Sequence, residues 1–385
     1  MRVVHVSAYF APAFCYGGPP RSVLGLCRGL QQAGVHVEVI TTTANGAADI
    51  AASPPEGDTY DGVPVRYLRR AFPKRFFGAR LRAPLRAALA RADICHVHGL
   101  WNVPEWTATR LAREMGVPYV LSPRGMLHPA ARRVNGVRKK VAWRLFEQSA
   151  VAAAARLHAT SEEEADLLAT FVDRRRVVLV PNGVEAQSVA TAQGTDRFNL
   201  PQGAFVVTFI GRLHRIKRLD LLVDAFARVQ AVHREARLVI AGPDEQRCLA
   251  SMAPLLARLG DAVRYVGPVD DGDKWRLLGK SSALVLCSDS ENFGLSVVEA
   301  MAAGVPVVVT RTCPWPDIER GRCGFWVEHT PQAIAAALID LAERPDCARA
   351  MGERGARLAR DKYSWNAIGE ALAGCYERVI AEQPR

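Results

Sequence analysis

Two glutamates stand eight residues apart in the stretch from Ser288 to Gly304. Glu291 follows a predicted buried strand, Gly294 lets the backbone come close to a ligand, and Glu299 lies one turn into a predicted helix. Open α/β sheets bind ligands beyond the carboxyl ends of their strands, and helix N-termini favour phosphate or sugar oxygens. In such a place Glu291 could hold sugar hydroxyls, and Glu299 could reach the two vicinal hydroxyls of a ribose.

Two cationic side chains occupy a second predicted strand-to-helix turn. Arg212 and Lys217 are five residues apart, between the strand that ends near Ile210 and the helix that begins at Leu219. A guanidinium binds oxyanions as a fork and an ammonium binds them as a point charge, so the pair predicts a clamp for a diphosphate. Positive charge fixed there would help a nucleoside diphosphate to leave.

Each motif taken alone also has a simple structural interpretation. Glu291 is then a loop carboxylate, and Glu299 is a surface or helix-capping residue. The presence of both the cationic and the acidic motif in one chain favours a binding site over this interpretation.

Strand-like and helix-like patterns alternate along the chain in two runs. The predicted strands are residues 3–7, 35–42, 94–97, 119–122, 157–160 and 177–180 in the first run, and 204–210, 237–241, 262–266, 283–287 and 305–310 in the second. The predicted helices between them include residues 19–33, 105–115, 162–171, 219–233, 274–280 and 295–303. This alternation predicts the α/β class, with parallel sheets covered by helices on both faces.

The length of 385 residues favours two domains, because one ordinary core rarely grows so large. A polar segment, 185–202, separates the two runs, so we place the boundary near residue 190. The predicted domains are residues 1–190 and 191–364. Residues 365–385 carry a helical pattern with no strand after it, and we expect this helix to pack back on the first domain.

The composition, 49% hydrophobic and 23% charged, is that of a globular protein. The nine cysteines are scattered and never spaced Cys-x-x-Cys, which favours neither a disulfide framework nor zinc and indicates a reducing compartment. No signal-peptide pattern and no run of 18 apolar residues is visible in the sequence. We therefore expect a cytoplasmic location.

The formal charge of +11 is concentrated in two segments. Nine Arg or Lys and no acidic residue lie between Arg66 and Arg91, interleaved with aromatic residues at positions 72, 76 and 77. Six more basic residues lie between Arg132 and Arg144. Three interpretations remain: a solvated surface, a peripheral surface for anionic membranes, or a nucleic-acid surface. The last is disfavoured because no recognised nucleic-acid motif accompanies the charge.

Taken together, these motifs resemble family 4 of the retaining glycosyltransferases. The segment Glu291 to Glu299, with Phe293-Gly294-Leu295 inside it, is similar to the Glu-x7-Glu motif of that family. Gly211-Arg212-Leu213 with Lys217 is similar to its Gly-Arg-Leu signature. Tyr16-Gly17-Gly18 resembles its N-terminal glycine loop, and Pro181-Asn182-Gly183-Val184 resembles its inter-domain motif. The resemblance runs from Val3 to about Tyr363.

The resemblance implies the GT-B fold, in which two Rossmann-like, doubly wound domains face each other across a cleft. It implies transfer of a hexose from a UDP- or GDP-linked donor with retention of configuration, without a metal or another cofactor. The implied catalytic residues are Glu291, Arg212, Lys217, His98 and Arg124. The implied donor-binding residues are Gly17, Gly18, Asn182, Arg212, Lys217, Glu291, Asn292, Phe293, Gly294, Leu295 and Glu299.

Two positions depart from the family pattern, and two histidines remain as further candidates. Arg124 stands where many relatives carry a histidine, and an arginine binds a phosphate or an acceptor but cannot act as a base at neutral pH. His98, at another predicted strand end, either lines the cleft or is a structural loop histidine, and His128 is a weaker candidate of the same kind. The segment Cys313 to Asp317 replaces a glycine-rich loop, which could alter contacts with the sugar or the acceptor.

Rival classes make different demands on the sequence. A nicotinamide oxidoreductase would need Gly-x-Gly-x-x-Gly in the first turn and an acid after the second strand, where this chain has Thr41-Thr42-Thr43. A GT-B hydrolase or epimerase of nucleotide sugars and a non-catalytic, basic membrane adaptor remain alternatives. For a transferase we expect a saccharide or lipid-linked acceptor, no nucleic-acid partner, and a location that includes the inner face of the plasma membrane.

Overall fold

The computed structural model describes residues 1–54, 56–70, 81–185 and 197–383. Contacts divide the chain into two compact units: unit 1 contains Met1–Gly183 and Trp365–Arg385, and unit 2 contains Val184–Ser364. The predicted boundary at residue 190 and the aromatic residues at positions 72, 76 and 77 lie outside the described residues.

The described residues before position 184 form ten strands and seven helices of unit 1. The strands are β1 (Arg2–Ser7), β2 (His36–Thr42), β3 (Ala44–Asn45), β4 (Ala48–Asp49), β5 (Asp58–Tyr60), β6 (Val63–Leu68), β7 (Ile94–His98), β8 (Tyr119–Ser122), β9 (Arg156–Ala159) and β10 (Val177–Leu179). The helices are α1 (Gly18–Gln32), α2 (Arg82–Leu89), α3 (Val103–Glu114), α4 (Pro129–Arg133), α5 (Gly136–Ala142), α6 (Gln148–Ala153) and α7 (Glu162–Leu168). A π-helical turn, Trp143–Glu147, joins α5 to α6.

In the part of unit 2 that the structure describes there are six strands and eight helices, and a last helix returns to unit 1. The strands are β11 (Val206–Ile210), β12 (Arg237–Ala241), β13 (Val263–Gly267), β14 (Ala283–Leu286), β15 (Val307–Thr310) and β16 (Gly324–Val327). The helices are α8 (Leu219–Val232), α9 (Cys248–Ser251), α10 (Ala253–Leu259), α11 (Asp271–Gly279), α12 (Leu295–Ala302), α13 (Asp317–Gly321), α14 (Pro331–Glu343) and α15 (Pro345–Tyr363). The returning helix is α16 (Trp365–Ala381).

Each unit is built on one main sheet with a reversal of strand order near its centre. In unit 1 the order is β10-β9-β8-β7-β1-β2-β6-β5, parallel except for the edge strand β5. In unit 2 the order is β13-β12-β11-β14-β15-β16, all parallel. The order reverses between β1 and β7 in unit 1 and between β11 and β14 in unit 2, and ligands of open α/β sheets bind at such points. The predicted α/β class with two parallel sheets is confirmed.

The sequence pattern did not predict five of the observed strands, β3, β4, β5, β6 and β16, and two of these, β6 and β16, lie beside or at the edge of a main sheet. In β6 Pro64 lacks a backbone donor, which weakens the strand signal, and it pairs with Thr59 of the edge strand β5. In β16 the glycine at position 324 comes so close to β15 that a Cβ atom there would stand 2.0 Å from the Val307 carbonyl oxygen. Neither segment shows the long apolar run of a central parallel strand.

Helices cover both faces of each sheet, as the parallel arrangement requires. In unit 1 one face buries Leu26 and Leu30 of α1 and Leu372 of α16, and the other buries Leu85 and Leu111. In unit 2 the two faces bury Phe226 of α8 and Met301 of α12. In the part of the chain that the structure describes, every helix is too short or too polar to cross a membrane.

The contact between α1 and α16 depends on three glycines. A Cβ atom on Gly25 would stand 2.1 Å from the Trp365 ring, and one on Gly29 would stand 2.1 Å from the Trp365 carbonyl oxygen. On α16, a Cβ atom on Gly369 would stand 2.2 Å from the backbone of Gly29. Because backbone rather than a side chain fills the space at Gly29 and Gly369, the two helices cannot make room without moving apart.

We expect Gly29→Ala to lower the free energy of unfolding of unit 1 by about 1 to 3 kcal/mol, the usual cost of overpacking a core. Chemical denaturation measured by circular dichroism gives this difference. Gly136→Ala is the control, because Gly136 is the first residue of α5 and no atom lies within 4 Å of its added Cβ. Equal stability of the two variants would contradict the assigned contact.

Candidate functional site

In unit 2, Lys217 and Glu291 form an ion pair beyond the carboxyl ends of two neighbouring strands. Lys217 lies in a 3-10 turn, Arg215–Lys217, after β11, and Glu291 lies in the loop after β14. Since β11 and β14 are adjacent where the strand order reverses, the two loops leave the sheet side by side. The Lys217 Nζ donates to Glu291 Oε1, and Ser288 Oγ donates to the same oxygen at 2.9 Å.

Backbone and side-chain contacts tie these two loops together. The Asp289 N–H donates to the Ile216 carbonyl oxygen at 2.8 Å, and Arg218 Nη1 lies 3.0 Å from Asp289 Oδ1. Hydrogen bonds to Asp220 and Asp289 hold the pKa of Arg218 above its usual value. The ion pair therefore stands on a cross-linked pair of loops and keeps partial access to solvent, with 21% of the Lys217 side chain and 12% of the Glu291 side chain exposed.

Gly294 makes the turn from the Glu291 loop into α12. Its backbone is left-handed, with φ 85°, which strains any residue with a side chain, and a Cβ atom would stand 2.7 Å from Leu286 Cδ2, so Leu286 would have to move. The preceding Phe293 is buried and packs on Trp315, whose Nε1 donates to the Phe293 carbonyl oxygen at 2.5 Å. The segment from Cys313 to Asp317 thus supports this turn from behind, and Leu295 begins the helix with its first amides directed out of it.

Glu299 is paired with a lysine that the sequence analysis did not identify. Lys274 of α11 donates to Glu299 Oε1 at 2.6 Å and to Asp271 Oδ1 at 3.0 Å. Burial opposes the charge of Lys274, but Glu299 and Asp271 together raise its pKa. The spacing of Asp271 and Lys274 was visible as an i,i+3 pair, but nothing in the sequence pointed from α11 to α12.

Arg212 does not contact the Lys217–Glu291 pair. Its Nη1 lies 3.4 Å from Glu245 Oε2, and both side chains are more than 40% exposed. The structure therefore brings Lys217 and Glu291 together, joins Glu299 to Lys274, and leaves Arg212 at the surface of the same unit. Asn292 lies next to Glu291 in the loop before Phe293.

In unit 1, Arg124 joins several residues near the carboxyl ends of the central strands. Its Nε and Nη2 donate to His98 Nδ1, at 3.3 and 3.1 Å. Its Nη1 donates to Ser22 Oγ of α1 at 2.9 Å and to Asn182 Oδ1 at 3.3 Å. Three predicted residues, Arg124, His98 and Asn182, thus form one cluster, and Ser22 is a member that the sequence did not indicate.

The glycine loop precedes the helix that carries Ser22. Gly17 has a positive φ of 87°, and Gly18 begins the 15-residue helix α1, with Pro19 and Pro20 in its first turn. Gly17 caps this helix without a side chain, so the first-turn amides of α1 have no side-chain cap. His128, the weaker histidine candidate, instead caps α4 by accepting from the Ala130 N–H at 3.3 Å.

The donor and the acceptor can be assigned in each hydrogen bond of the buried histidines. The Val180 carbonyl oxygen only accepts, so His158 donates to it from Nε2 and accepts at Nδ1 from Ser122 Oγ. Ser122 must then accept from His96 Nε2 at 2.7 Å, and His96 Nδ1 accepts from the Tyr376 hydroxyl at 2.5 Å. This chain links β7, β8 and β9 to α16.

A second chain runs from Arg124 through His98 to His5. Because arginine only donates, His98 Nδ1 accepts, and His98 Nε2 donates to His5 Nδ1 at 2.8 Å. Both ring nitrogens of His98 are therefore occupied, and only 2% of the residue is exposed. In this arrangement His98 orients the Arg124 guanidinium.

These histidines are neutral. The pKa of His5 is lowered to about 3 and that of His158 to about 4. Burial is the largest cause of both shifts, and the charge of Arg124 adds to it. Burial and the neighbouring rings lower the pKa of His96 and His98 well below its usual value. The side chains that accept hydrogen bonds from Arg124 are thus neutral. Burial lowers the pKa of Arg124 to about 10, and the nearby Glu164 carboxylate opposes that shift.

The nitrogens of His5, His96 and His98 lie within 4.8 Å of one another, which raises the question of a metal ion. Both nitrogens of His96 and of His98 are already in hydrogen bonds, and the Arg124 cation donates directly to His98. A divalent cation would have to displace these bonds beside a positive charge. The three histidines do not fit a metal site.

Glu105 is a buried carboxyl that holds the end of β1. Its Oε1 accepts from the Ala8 N–H at 2.9 Å and from Asn102 Nδ2 at 3.4 Å, while Oε2 has no partner among the described residues. Burial raises the pKa of Glu105 to about 8, although the Ala8 hydrogen bond opposes the shift. Glu105 therefore anchors the start of the loop that leads to Gly17.

Two family models match this chain, one on each unit. Residues 17–183 match the "Glycosyl transferase 4-like domain", and residues 194–358 match "Glycosyl transferases group 1". A D-inositol 3-phosphate glycosyltransferase of Kineococcus radiotolerans is 32% identical over 95% of this chain and 92% of its own length. A GDP-mannose:cellobiosyl-diphosphopolyprenol alpha-mannosyltransferase of Komagataeibacter xylinus is 26% identical over 99% of this chain and 94% of its own.

Solved structures share the fold at lower sequence identity. A sucrose-phosphate synthase from Thermosynechococcus elongatus superposes with a TM-score of 0.77 at 22% identity, over 99% of this chain and 100% of that structure. HepE of Anabaena, in complex with UDP and glucose, superposes with a TM-score of 0.72 at 17% identity, over 98% of this chain and 100% of that structure.

Substitution of Glu105 by glutamine tests the buried, protonated carboxyl. A carboxyl whose folded pKa exceeds its unfolded value stabilises the fold below the unfolded pKa, near 4.5, and that stability is lost as pH rises through about 8. Glu105→Gln does not suffer this loss, because the amide does not titrate. The melting temperature of the variant minus that of the unsubstituted protein should therefore increase by more than about 2 °C between pH 5 and pH 9. Glu114→Gln on the same helix is the control and should show no such rise. A pH-independent difference for Glu105→Gln would contradict the assignment.

Proposed function

Because the chain belongs to the group 1, family 4-like glycosyltransferases of the GT-B fold, we propose that it is a retaining hexosyltransferase. Its donor is a UDP- or GDP-linked hexose, and its acceptor is a saccharide or a lipid-linked saccharide. The name of one relative supports a lipid-linked saccharide, since that enzyme acts on a cellobiosyl-diphosphopolyprenol, whereas another relative is named for D-inositol 3-phosphate, a phosphorylated cyclitol.

The observation that carries the proposal is the Lys217–Glu291 ion pair at the reversal of strand order in unit 2. An ammonium and a carboxylate side by side match the two halves of a nucleotide sugar, the anionic diphosphate and the hydroxylated sugar. In the proposed complex the diphosphate takes the place of Glu291 as the partner of Lys217. The freed Glu291 carboxylate then accepts hydrogen bonds from the sugar hydroxyls.

The other predicted donor contacts in unit 2 follow from the same placement. Arg212 exchanges the exposed Glu245 for a phosphate, at small cost because surface ion pairs are weak. Glu299 accepts from the ribose hydroxyls, and the contact with Lys274 orients it for that purpose. Asn292 to Leu295 present the turn and the first amides of α12 to the donor.

For unit 1 we propose that Arg124 binds an anionic group of a substrate. Its hydrogen bonds go to neutral acceptors, His98, Ser22 and Asn182, so an anion bound there would be the first charged hydrogen-bond partner among these contacts. Gly17 and Gly18 are the proposed backbone contacts for a donor phosphate at the start of α1. His98 then acts on the reaction by positioning Arg124.

The proposed chemistry is departure of a nucleoside diphosphate and attack of an acceptor hydroxyl on the same face of the sugar. The bond from the anomeric carbon to the phosphate oxygen breaks, and the electron pair leaves with the diphosphate. The acceptor oxygen forms the new bond to the anomeric carbon, and its proton passes to the departing diphosphate. Cations fixed beforehand stabilise this leaving group as its charge develops, which is usually a large contribution to catalysis. Lys217 and Arg212 supply that charge in our proposal, and the reaction requires no metal ion.

A screen of nucleotide sugars tests the donor class first. A donor at 100 times its dissociation constant should stabilise the protein by about 2.7 kcal/mol, which a thermal shift detects. Transfer is then measured as nucleoside diphosphate release that depends on added acceptor and persists in EDTA. Release of free sugar from donor alone would instead indicate a hydrolase, and binding of a nicotinamide dinucleotide would favour an oxidoreductase.

We expect Lys217→Ala to lower kcat by about a hundredfold to a thousandfold, the usual effect of removing one preorganised group. Glu291→Gln should weaken donor use to a similar degree, because a neutral amide accepts hydrogen bonds from the sugar hydroxyls more weakly than a carboxylate does. Steady-state release of nucleoside diphosphate gives both values.

Glu343→Gln is the control, since this exposed carboxylate lies at the end of α14 and should leave kcat unchanged. Full activity of Glu291→Ala would overturn the proposal and favour a non-catalytic adaptor. We further propose a cytoplasmic location, peripheral to the inner face of the plasma membrane, where a lipid-linked acceptor would be reached.

A further inference from the structure

Exposed apolar side chains are concentrated on one short segment of unit 1. Among the described residues, eight large hydrophobic side chains are exposed, and five of them lie between positions 134 and 146. These five are Val134, Val137, Val141, Leu145 and Phe146. The most exposed, Val137, leaves 79% of its surface open. We call the residues from Val134 to Phe146 the apolar-basic segment.

The geometry of the segment places its apolar residues in a row. Val137, Val141 and Leu145 follow one another at intervals of four along α5 and the π-helical turn, which puts them on one side of the helix. Leaving such a row in water is unfavourable, because burying each side chain would release ordered water from its surface. A contiguous exposed row of this kind marks an interaction surface.

Basic residues flank this row, and no acidic residue interrupts it. Between positions 129 and 146 the sequence contains six Arg or Lys and no Asp or Glu. Arg138, Lys140 and Arg144 within the segment are exposed. The next acid, Glu147, is turned inward: it is buried, it accepts from the Trp101 N–H at 2.7 Å, and burial raises its pKa to about 7.

A cavity adjoins the same surface. It has a volume of about 490 Å³ and lies between α3 and the helices around the π turn. Trp106 and Phe146 meet edge to face in its wall, with ring centroids 4.7 Å apart. Arg110 and Arg113 add two guanidinium groups to the lining, of which Arg110 pairs with Glu114. The cavity thus offers an aromatic wall and a net positive charge.

We propose that the apolar-basic segment docks unit 1 on an anionic lipid bilayer and that the adjoining cavity receives one anionic lipid. Valine and leucine side chains enter the headgroup region, and the exposed bases pair with lipid phosphates around them. Arg113, beside Ser149 at the cavity wall, binds the phosphate of the captured lipid, and Trp106 and Phe146 contact its apolar part. The inference rests on the proposed lipid-linked acceptor, because docking brings the enzyme to such a substrate.

Charge complementarity favours a membrane over other occupants. A second copy of this chain would bring one basic segment against another, and like charges at close range oppose association. A soluble polyanion would neutralise the bases but would leave the valine row in water. An anionic bilayer supplies both the negative surface and the apolar layer beneath it.

Flotation with lipid vesicles tests the proposal on the full chain. The protein should float with phosphatidylglycerol vesicles at low salt and lose most of that binding in 0.5 M salt, which screens charges beyond about 5 Å. Each basic residue near an anionic surface contributes roughly a fivefold change in partition. We therefore expect the triple variant Arg138→Gln, Lys140→Gln, Arg144→Gln to reduce partition at least tenfold. Val137→Ser, Val141→Ser, Leu145→Ser should reduce it by at least as much.

Matched controls separate the segment from general charge and hydrophobicity. Arg349, Arg357 and Arg360 are exposed basic residues on one helix, α15, and their triple change to Gln removes the same charge. Val232 is 62% exposed, almost equal to Leu145 at 63%, so Val232→Ser is the apolar control. Partition equal to that of the unsubstituted protein is expected for both controls. An equal loss in the controls, or no loss in the segment variants, would overturn the assigned surface.

Further measurements test the cavity and the competing occupants. Arg113→Gln should reduce binding to phosphatidylglycerol vesicles about fivefold and should leave the small binding to neutral phosphatidylcholine vesicles unchanged. Light scattering compares the unsubstituted protein with the segment variants. If the unsubstituted protein is a dimer and the variants lose that dimer while their vesicle binding stays intact, the segment contacts a second copy and the proposal is contradicted.

The test is independent of the transfer reaction. All segment variants should keep the thermal shift with nucleotide sugar, because no changed residue lies in the proposed donor site. If donor binding is absent from the unsubstituted protein while vesicle binding depends on the segment, the transferase proposal fails and the membrane surface stands. If the unsubstituted protein binds donor but its vesicle binding does not depend on the segment, only the proposal of the membrane surface fails.

Discussion

The adjacency of β11 and β14 is the constraint on which the proposed chemistry depends. These strands are neighbours although β12 and β13 lie between them in the chain, so Lys217 and Glu291 meet across 74 residues of sequence. Parallel strands end at the same edge, and a helix must follow each one, so the connecting loops crowd together where the order reverses. The hydrogen bond from Asp289 to Ile216 and the left-handed Gly294 are consequences of that crowding.

The reversal of strand order in unit 1 carries a different set of charges from the reversal in unit 2. In unit 2 the reversal carries full charges of both signs that compensate one another. In unit 1 it carries Arg124 above a layer of neutral histidines, whose protons are fixed by hydrogen bonds down to Val180 and across to His5. A guanidinium oriented by neutral acceptors keeps its charge available to a ligand, whereas a carboxylate partner would cancel that charge.

Much of the fold followed from sequence because buried parallel strands are short apolar runs between helices. The strands at 119–122 and 237–241 have the predicted bounds, and the class of fold needed only their alternation with helices. Lys217 and Glu291 were predicted because their loops carry recognisable motifs. The prediction that the two domains face each other across a cleft stays a prediction.

The partners of these residues could not be read from sequence, because pairing depends on strand order and helix register. Lys274 contacts Glu299 only through the packing of α11 beside α12, and Ser22 and Tyr376 reach Arg124 and His96 from distant parts of the chain. The basic residues near position 138 were visible in sequence. Their valine row was not, since exposure is decided by which side of α5 packs against the protein.

The place where the chain enters and leaves unit 2 has a consequence for synthesis. The Val184 N–H donates to the Tyr363 carbonyl oxygen at 2.7 Å, so the first and last residues of unit 2 are neighbours, and unit 2 is an insertion within unit 1. Ile368, Leu372 and Tyr376 of α16 complete the core of unit 1. A ribosome therefore releases all of unit 2 before it releases α16, so the core of unit 1, which emerges first, can be completed only after unit 2 has been made.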